Sequence, residues 1–385
     1  MTVPAETQLK ARILEVARAG GAGAVRVCSA EDDALTRERF AAATERGDVA
    51  TWPYDRAYAA RAASPHALLP GARSVICIAV PFATAELKNA PPRAATRPLS
   101  AKISNYAWGA DYHGVVRRVL EAISAELNGF ARDEVSRVVC DTAVLAERAF
   151  AARAGLGWIG KHTNLIAPQL GSYVFLGEVV TSLALSPDPP LKKTCGSCRR
   201  CVVACPTGAL RGDYTMDSTR CISDLTQRRD AIPLALRPLI GDWFWGCDLC
   251  QEVCPPTRRA RATPPREFVA RTPQETFVDL SLMLSGSSRS LRTRYRKSAM
   301  GWRGPVVLRR NAAVGLGNSL DRAAVPALRE ALRNDPSAVV RRHVAWALGR
   351  IGSPAALHAL SQAAVLERSH DVQTEIGFAL EPYTA

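Results

Sequence analysis

Eleven cysteines are present, and seven of them fall in two runs whose spacing suits metal chemistry. CGSCRRCVVACP sets Cys195, Cys198, Cys201 and Cys205 at C-x2-C-x2-C-x3-C-P, and GCDLCQEVCP sets Cys247, Cys250 and Cys254 before Pro255. Bacterial ferredoxins hold two 4Fe-4S clusters with the first spacing, the last cysteine crossing to the partner cluster. On that pattern Cys195, Cys198, Cys201 and Cys254 ligate one cubane, and Cys205, Cys247 and Cys250 ligate the other. Each cubane takes four thiolates, so the second set lacks one. Cys221, in RCISDLTQ between the runs, completes it. Structural zinc also uses C-x2-C pairs, but with longer gaps and no crossed tail. Clustered cysteines without an export leader argue against a disulfide framework. Of the remaining three, Cys28 and Cys77 stand in apolar runs (VRVCSA, SVICIAV) and read as buried thiols, while Cys140 has no assignment.

A second stretch is dense in reactive and small residues: VVCDTAVLAERAFAARAGLGWIGKHTNLIAPQLGSYVFLGEVV. Asp141 follows a strand-like run, where its side chain can face a pocket at the strand's end; it can equally cap the helical LAERAFAARA. Gly155, Gly157 and Gly160 would let backbone approach a bulky ligand. The stretch matches neither the dinucleotide fingerprint nor a P-loop, since Gly160-Lys161 is followed by His162 rather than Ser or Thr.

The elements that position these residues divide the 385-residue chain into three expected domains. Residues 1–190 read as α/β: helical patterns (LKARILEVARAG, VVRRVLEAISAELNGFA) alternate with β-branched runs (SVICIAVPF, SRVVCDTAV, SYVFLGEVVTSLAL). LSPDPPLKKT, with three prolines and no periodicity, closes this part. Residues 191–260 form a small cluster domain, and 261–385 a basic linker and a helical repeat. RRNAAVGLGN around Leu316 recurs 32 residues later as RRHVAWALGR around Leu348, and weakly in TEIGFAL at Leu380. That period fits a short HEAT-like array, a kind of module that exposes a binding face. Apolar content of 47% is ample for cores, and mean hydropathy is −0.05. The N-terminus alternates charge with apolar residues and no run approaches membrane-spanning length, so a cytoplasmic protein is expected. Net charge is +14. From Arg289 to Arg310, eight basic residues (Arg289, Arg292, Arg294, Arg296, Lys297, Arg303, Arg309 and Arg310) stand with no acid among them. Such a block is either a solvated face or a phosphate-binding surface.

Taken in order, CDTAVLAERAFAARAGLGWIGKHTNLI, GSYVFLGEV, CGSCRRCVVACPTGAL, CISDLTQ, GCDLCQEVCP and the repeat tail resemble the epoxyqueuosine reductases over nearly the whole chain. WGADYHGVVRRVLE, with Trp108, Gly109, Asp111, Tyr112 and His113, is similar to a segment of the same family. The resemblance implies a multi-domain α+β/α protein. Its parts are an α/β cobalamin-binding catalytic domain with a nitroreductase-like core, a ferredoxin-like domain with two 4Fe-4S clusters, and C-terminal HEAT-like repeats. It implies reduction of the epoxide of epoxyqueuosine, at the wobble position of tRNA, to the alkene of queuosine. Electrons pass through the clusters to cobalamin, and Asp141 is the proton donor, a role that suits an acid kept partly protonated by burial. Cobalamin contacts implied in the same way are Arg61, Ser104, Asp141, Leu165, Ser172, Ser223, Thr226 and Gly246. No D-x-H-x-x-G box is present, because in Asp111-Tyr112-His113-Gly114 the glycine comes too early, so cobalt is expected without a protein histidine. Two departures from the family pattern are Ser104-Asn105-Tyr106 before the Trp-Gly pair and a one-residue offset at Arg61. The implied partners are tRNA carrying epoxyqueuosine and an external electron donor of flavodoxin or ferredoxin type, with no membrane partner and a monomeric chain. Two other readings compete. A reductive dehalogenase pairs the same cofactors but usually carries a twin-arginine leader and no repeat tail. A non-catalytic ferredoxin-like adaptor leaves Asp141 and GLGWIGKHTN without a purpose.

Overall fold

The structure, a computed structural model, describes residues 2–83, 99–272 and 275–381. The chain forms two compact units, each built from three segments. The first comprises Met1–Lys88, Asp111–Thr219 and Asp248–Val269; the second comprises Asn89–Ala110, Arg220–Cys247 and Ala270–Ala385. These units do not follow the order of the chain, and their limits differ from the positions 190 and 260 read from the sequence. The cysteine segment is divided, because residues 220–247 are tied by polar contacts to the helical repeat.

The core of the first unit is a four-stranded antiparallel sheet in the order Ala24–Ser29, Ser74–Pro81, Val174–Thr181, Ser136–Val139. Side chains alternate between the faces of a strand, so each strand serves two layers. Toward one face lies the long helix Tyr112–Ala131, whose Val115, Val116, Val119, Leu120, Ile123 and Leu127 recur at helical spacing and are buried. It approaches the sheet closely at Gly177, where an added Cβ would stand 2.8 Å from both Leu120 and Val116. Helix Val3–Ala19 packs against the same long helix through Leu9, Ile13 and Ala17. The other core carries Cys28, Cys77, Val139 and Val180 with Phe150 and Ala151 of the short helix Glu147–Arg153. Burying each large aliphatic side chain in these layers contributes about 1.5–3 kcal/mol. Cys28 and Cys77 are thus the buried thiols that their apolar context indicates.

The second unit opens with three short strands in the order Trp243–Trp245, Ser100–Ile103, Phe277–Asp279. Among the described residues seven α-helices follow: the short Leu280–Ser285 and Ser288–Tyr295, then Pro305–Ser319, Val325–Asn334, Ala338–Ile351, Pro354–Leu366 and His370–Leu380. The repeat recurs in side-chain detail. A Cβ at Gly317 would stand 2.9 Å from Ala347, and one at Gly349 would stand 2.6 Å from Ala379. Arg309 donates to Asp335 across 26 residues, and Arg341 donates to Glu367 across the same interval. Equivalent glycines and equivalent ion pairs therefore bring successive helices together. Among the described residues no helix is long and apolar enough to cross a membrane.

Candidate functional site

Strand Ser136–Val139 ends two residues before Asp141, with Cys140 between, and the chain turns sharply there. Asp141 takes a left-handed backbone (φ 57°), and its N–H donates to Glu147 Oε1 at 2.6 Å. It caps no helix: the following helix has Ala146 at its cap position and no side-chain cap bond. The Asp141 carboxylate instead accepts from Tyr112 Oη at 2.7 Å and meets His113 Nε2 at 3.2 Å. On the far side of that imidazole, Asp111 Oδ1 lies 2.7 Å from His113 Nδ1, while also accepting the His113 N–H to cap the long helix. Asp111, His113 and Asp141 thus form a carboxylate–imidazole–carboxylate chain, placed by one helix start and one strand end.

Electrostatics follow from these partners. His113 is raised to about 9, by its hydrogen bond to Asp111 first and that to Asp141 second. Asp141 is lowered, chiefly by His113, against the opposing effect of burial. Its side chain is still 58% exposed, so protein encloses the carboxylate without sealing it from water. Behind it, burial raises Glu147 to about 7 and pushes the fully buried Glu178 well above the carboxylate range. Burial also pushes Cys140 up to about 12, with Glu147 and Asp141 adding to the shift.

The nearby glycines do different work from that expected. A Cβ at Gly155, whose φ is +78°, would stand 2.2 Å from the Pro189 carbonyl, and one at Gly157 would stand 2.5 Å from the Ile166 carbonyl. These positions are filled by the protein's own backbone, so the need for glycine is internal packing. Sequence pattern alone does not distinguish that from room for a ligand.

Beside Asp141 an aromatic layer continues from Tyr112, which stacks on Phe175 at 4.3 Å and 6°; Phe175 in turn meets Phe82 at 4.3 Å and Phe268 at 4.9 Å. The Tyr112 ring lies between His113 on one face and Phe175 on the other, and Phe82, Phe175 and Phe268 are buried, so this layer braces the residues around the open Asp141 carboxylate. The residues expected at cobalamin are distributed over both units. In the first, Arg61 is exposed near the Tyr58 ring, Leu165 is packed in the core, and Ser172 is buried with its hydroxyl 2.8 Å from Thr257 Oγ1. In the second, Ser104, Thr226 and Gly246 come together. The Gly246 N–H donates to Thr226 Oγ1 at 2.9 Å, and a Cβ on Gly246 would stand 2.5 Å from Ser104 Cβ. Thr226 Oγ1 itself donates to the Ser223 carbonyl at 3.1 Å.

Cys195, Cys198, Cys201 and Cys254 all belong to the first unit and converge. Cys254 packs with Cys195, and its thiol is raised by burial and by the charges of Cys195 and Cys198; Cys201 is raised by burial, then by Cys195 and Cys254. Crowded thiolates repel one another, and the positive iron of a cubane relieves that repulsion, so the donor set fits a 4Fe-4S cluster. Cys205 and Cys250 also belong to this unit, whereas Cys221 and Cys247 belong to the second. Among the described residues no group of three or more His, Cys, Asp or Glu is arranged to hold a single metal ion.

Sequence reading missed the use made of two arginines in the basic block. Arg309 is buried against Asp335, and Arg310 is wholly buried. Arg310 donates to the carbonyls of Leu225, Arg228 and Asp230 and to Asn311 Oδ1, while Asn311 Nδ2 donates to the carbonyls of Thr226 and Phe244. This pair fixes the backbone beside Cys221 and Cys247. Arg289, Arg292, Arg294, Arg296 and Lys297 remain on the surface, and Arg303 stacks on the half-exposed Trp302 ring at 3.7 Å.

A thiolate-rich segment, an open carboxylate with proton-bearing neighbours and a helical-repeat unit together define an iron–sulfur oxidoreductase. Family models agree in their placement: the 4Fe-4S double cluster binding domain matches residues 194–257, epoxyqueuosine reductase QueG (DUF1730) matches 62–142, and HEAT repeats match 304–381. The epoxyqueuosine reductase of Bacillus subtilis (strain 168) is 32% identical over 97% of this chain and 96% of its own, and that of Bacillus cereus is 37% identical over 83% of each. Among solved structures, an epoxyqueuosine reductase with an epoxyqueuosine-modified tRNA stem loop matches with a TM-score of 0.90 at 31% identity, covering 99% of this chain and 100% of the other. The chain belongs to the epoxyqueuosine reductase family.

Proposed function

We propose that this protein reduces epoxyqueuosine in tRNA to queuosine, with electrons passing through two 4Fe-4S clusters to cobalamin and Asp141 delivering protons. The observation that carries this reading is the Asp141 carboxylate, open to solvent and hydrogen-bonded to Tyr112 and His113, in the unit that also gathers four converging cysteines. Cys195, Cys198, Cys201 and Cys254 hold one cluster, and Cys205, Cys221, Cys247 and Cys250 are the thiolates for the other. Cobalamin supplies a strongly reducing metal centre when bound. The protein's own residues supply the rest. The ring layer of Tyr112, Phe175 and Phe82 braces the residues around Asp141, and Asp141 places a proton at the oxygen released from the epoxide.

The helix Ser288–Tyr295 carries Arg289, Arg292 and Arg294, and Arg296 and Lys297 extend its positive surface to meet tRNA phosphates. Trp302 and Arg303 add a stacking platform of the kind that single-stranded bases use. An external one-electron carrier, of flavodoxin or ferredoxin type, docks at the short helix Arg200–Ala204. There Val203 is 82% exposed beside Arg199 and Arg200, which suits an acidic partner with an apolar centre.

Anaerobic purification with cobalamin tests the reading. About eight irons and a corrinoid absorption band are expected. With a reductant and epoxyqueuosine-bearing tRNA, this protein should yield queuosine; failure to form it, with clusters and corrinoid in place, overturns the assignment.

A further inference from the structure

Converting an epoxide to an alkene consumes two electrons and two protons and releases one water. One proton is needed when the first C–O bond breaks and the oxygen becomes a hydroxyl, and the second when the remaining C–O bond breaks and that oxygen departs as water. This requirement rests on the function proposed above. A single carboxyl group holds one proton, so Asp141 must be recharged within each turnover.

The surroundings of Asp141 contain a group suited to that task. His113 stands between two acceptors, Asp111 Oδ1 at 2.7 Å from Nδ1 and Asp141 Oδ2 at 3.2 Å from Nε2. Only an imidazolium donates at both nitrogens. The Tyr112 ring stacks on the imidazole at 4.1 Å and is itself held by Phe175, which fixes the plane of the ring toward Asp141. The His113 side chain is 36% exposed, so protons reach it from water.

We propose that His113 recharges Asp141: its Nε2 proton passes to the Asp141 carboxylate twice per turnover, once for each C–O bond broken. Both electrons go to the substrate carbons, both protons go to the departing oxygen, and His113 is refilled from solvent after each transfer. Asp111 acts behind it, stabilising the imidazolium and orienting Nε2. The charged groups around the pair are consistent with this. Asp111 and Asp141 face the ring directly, Arg148 and Glu147 bear on Asp141 from the following helix, and Tyr54, whose hydroxyl is pushed up to about 12 chiefly by burial, lies within electrostatic reach of Asp141. The proton therefore rests on the imidazole rather than on the carboxylate near neutral pH. His113 acts through Asp141 and is a positioning residue, not one that touches the reacting oxygen.

The test compares wild type, His113→Gln and Asp111→Asn as cobalamin-loaded, cluster-bearing full chains. His113→Gln should keep its iron content, visible spectrum and tRNA affinity, and lose about a hundredfold in single-turnover rate, within the range for a positioned proton donor. The wild-type rate should fall as pH rises through about 9, the value to which His113 is raised, and the Gln variant should lose that limb. Independently of turnover, NMR titration of histidine-labelled protein should show one imidazole titrating near 9, displaced toward the ordinary histidine range in Asp111→Asn. A Gln variant with wild-type rate and pH profile, or an imidazole titrating in the ordinary range, overturns this inference while queuosine formation by the wild type stands. If the wild type makes no queuosine, the functional reading fails and this inference fails with it.

Discussion

Two histidines, one in each unit, show how the two regions differ. His343 is wholly buried in the helical repeat: its Nδ1 faces the Val339 carbonyl at 2.7 Å, and its Nε2 accepts the Ile232 N–H at 3.0 Å. One nitrogen must carry hydrogen and the other must not, so the ring is neutral, and burial drives its pKa well below the usual value. His113 also has a partner at each nitrogen, but both are carboxylates and water reaches the ring. It is raised to about 9. The same side chain is thus a fixed strut in one unit and a proton store in the other. The polar core around His343 follows the same logic. Arg237 donates to both oxygens of Glu375, and Arg310 spends its donors on carbonyls and Asn311. Charges meant for support have their valences closed, and the charges meant for chemistry keep one open.

The sharpest way to break this contrast is Asp141→Asn. It should retain iron and the corrinoid band and lose about a hundred- to ten-thousandfold in single-turnover rate; wild-type activity would remove the carboxylate from proton delivery. Next in size is Arg310→Met, which leaves the carbonyls of Leu225, Arg228 and Asp230 without that donor. Loss of about 3 kcal/mol or more in urea unfolding is expected, since each bond from a charged donor contributes about 1.5–3 kcal/mol. Iron should fall by up to about half, because the same backbone carries Cys221 and flanks Cys247.

The histidines themselves should give pH effects of opposite sign. His113 binds a proton more tightly folded than unfolded, so its contribution is complete below about 6.5 and lost as pH rises through about 9. His343 binds a proton less tightly when folded, so stability is lost as pH falls below about 6.5. Denaturant midpoints across pH should show His113→Gln flattening the alkaline decline and His343→Asn the acid one. The smallest effect expected is at the repeated ion pair. Glu367 is lowered to about 2, chiefly by Arg341, so its contribution is present above about 4.5 and lost as pH falls toward 2. Glu367→Gln should cost about 1 kcal/mol at neutral pH and remove that acid limb.

What the sequence disclosed was the chemistry that is local in the chain. Ligand spacing places Cys195, Cys198 and Cys201 within seven residues, and the repeat is written in recurring Arg-Arg and Leu-Gly pairs at fixed offsets. What it concealed depends on contacts between distant segments. Nothing near Arg310 marks it as buried, because its carbonyl partners lie 80 to 85 residues away. The pairing of His113 with Asp141 spans 28 residues and needs a helix start and a strand end to meet. Asp141 could be read as a cap until the structure showed its carboxylate turned to Tyr112 and His113. The three-part order of the chain likewise gave no sign that residues 220–247 would join the repeat, since the tethers that join them belong to Arg310 and Asn311.

The left-handed backbone at Asp141 has one more consequence. Asparagine is among the few residues besides glycine at ease in that conformation, and it retains the N–H that Glu147 accepts. An amide at this position would therefore let the polypeptide mature, collect its metals and pass any surveillance that senses misfolding. Such a lesion would be silent to the cell's proteases and visible only in tRNA left one deoxygenation short.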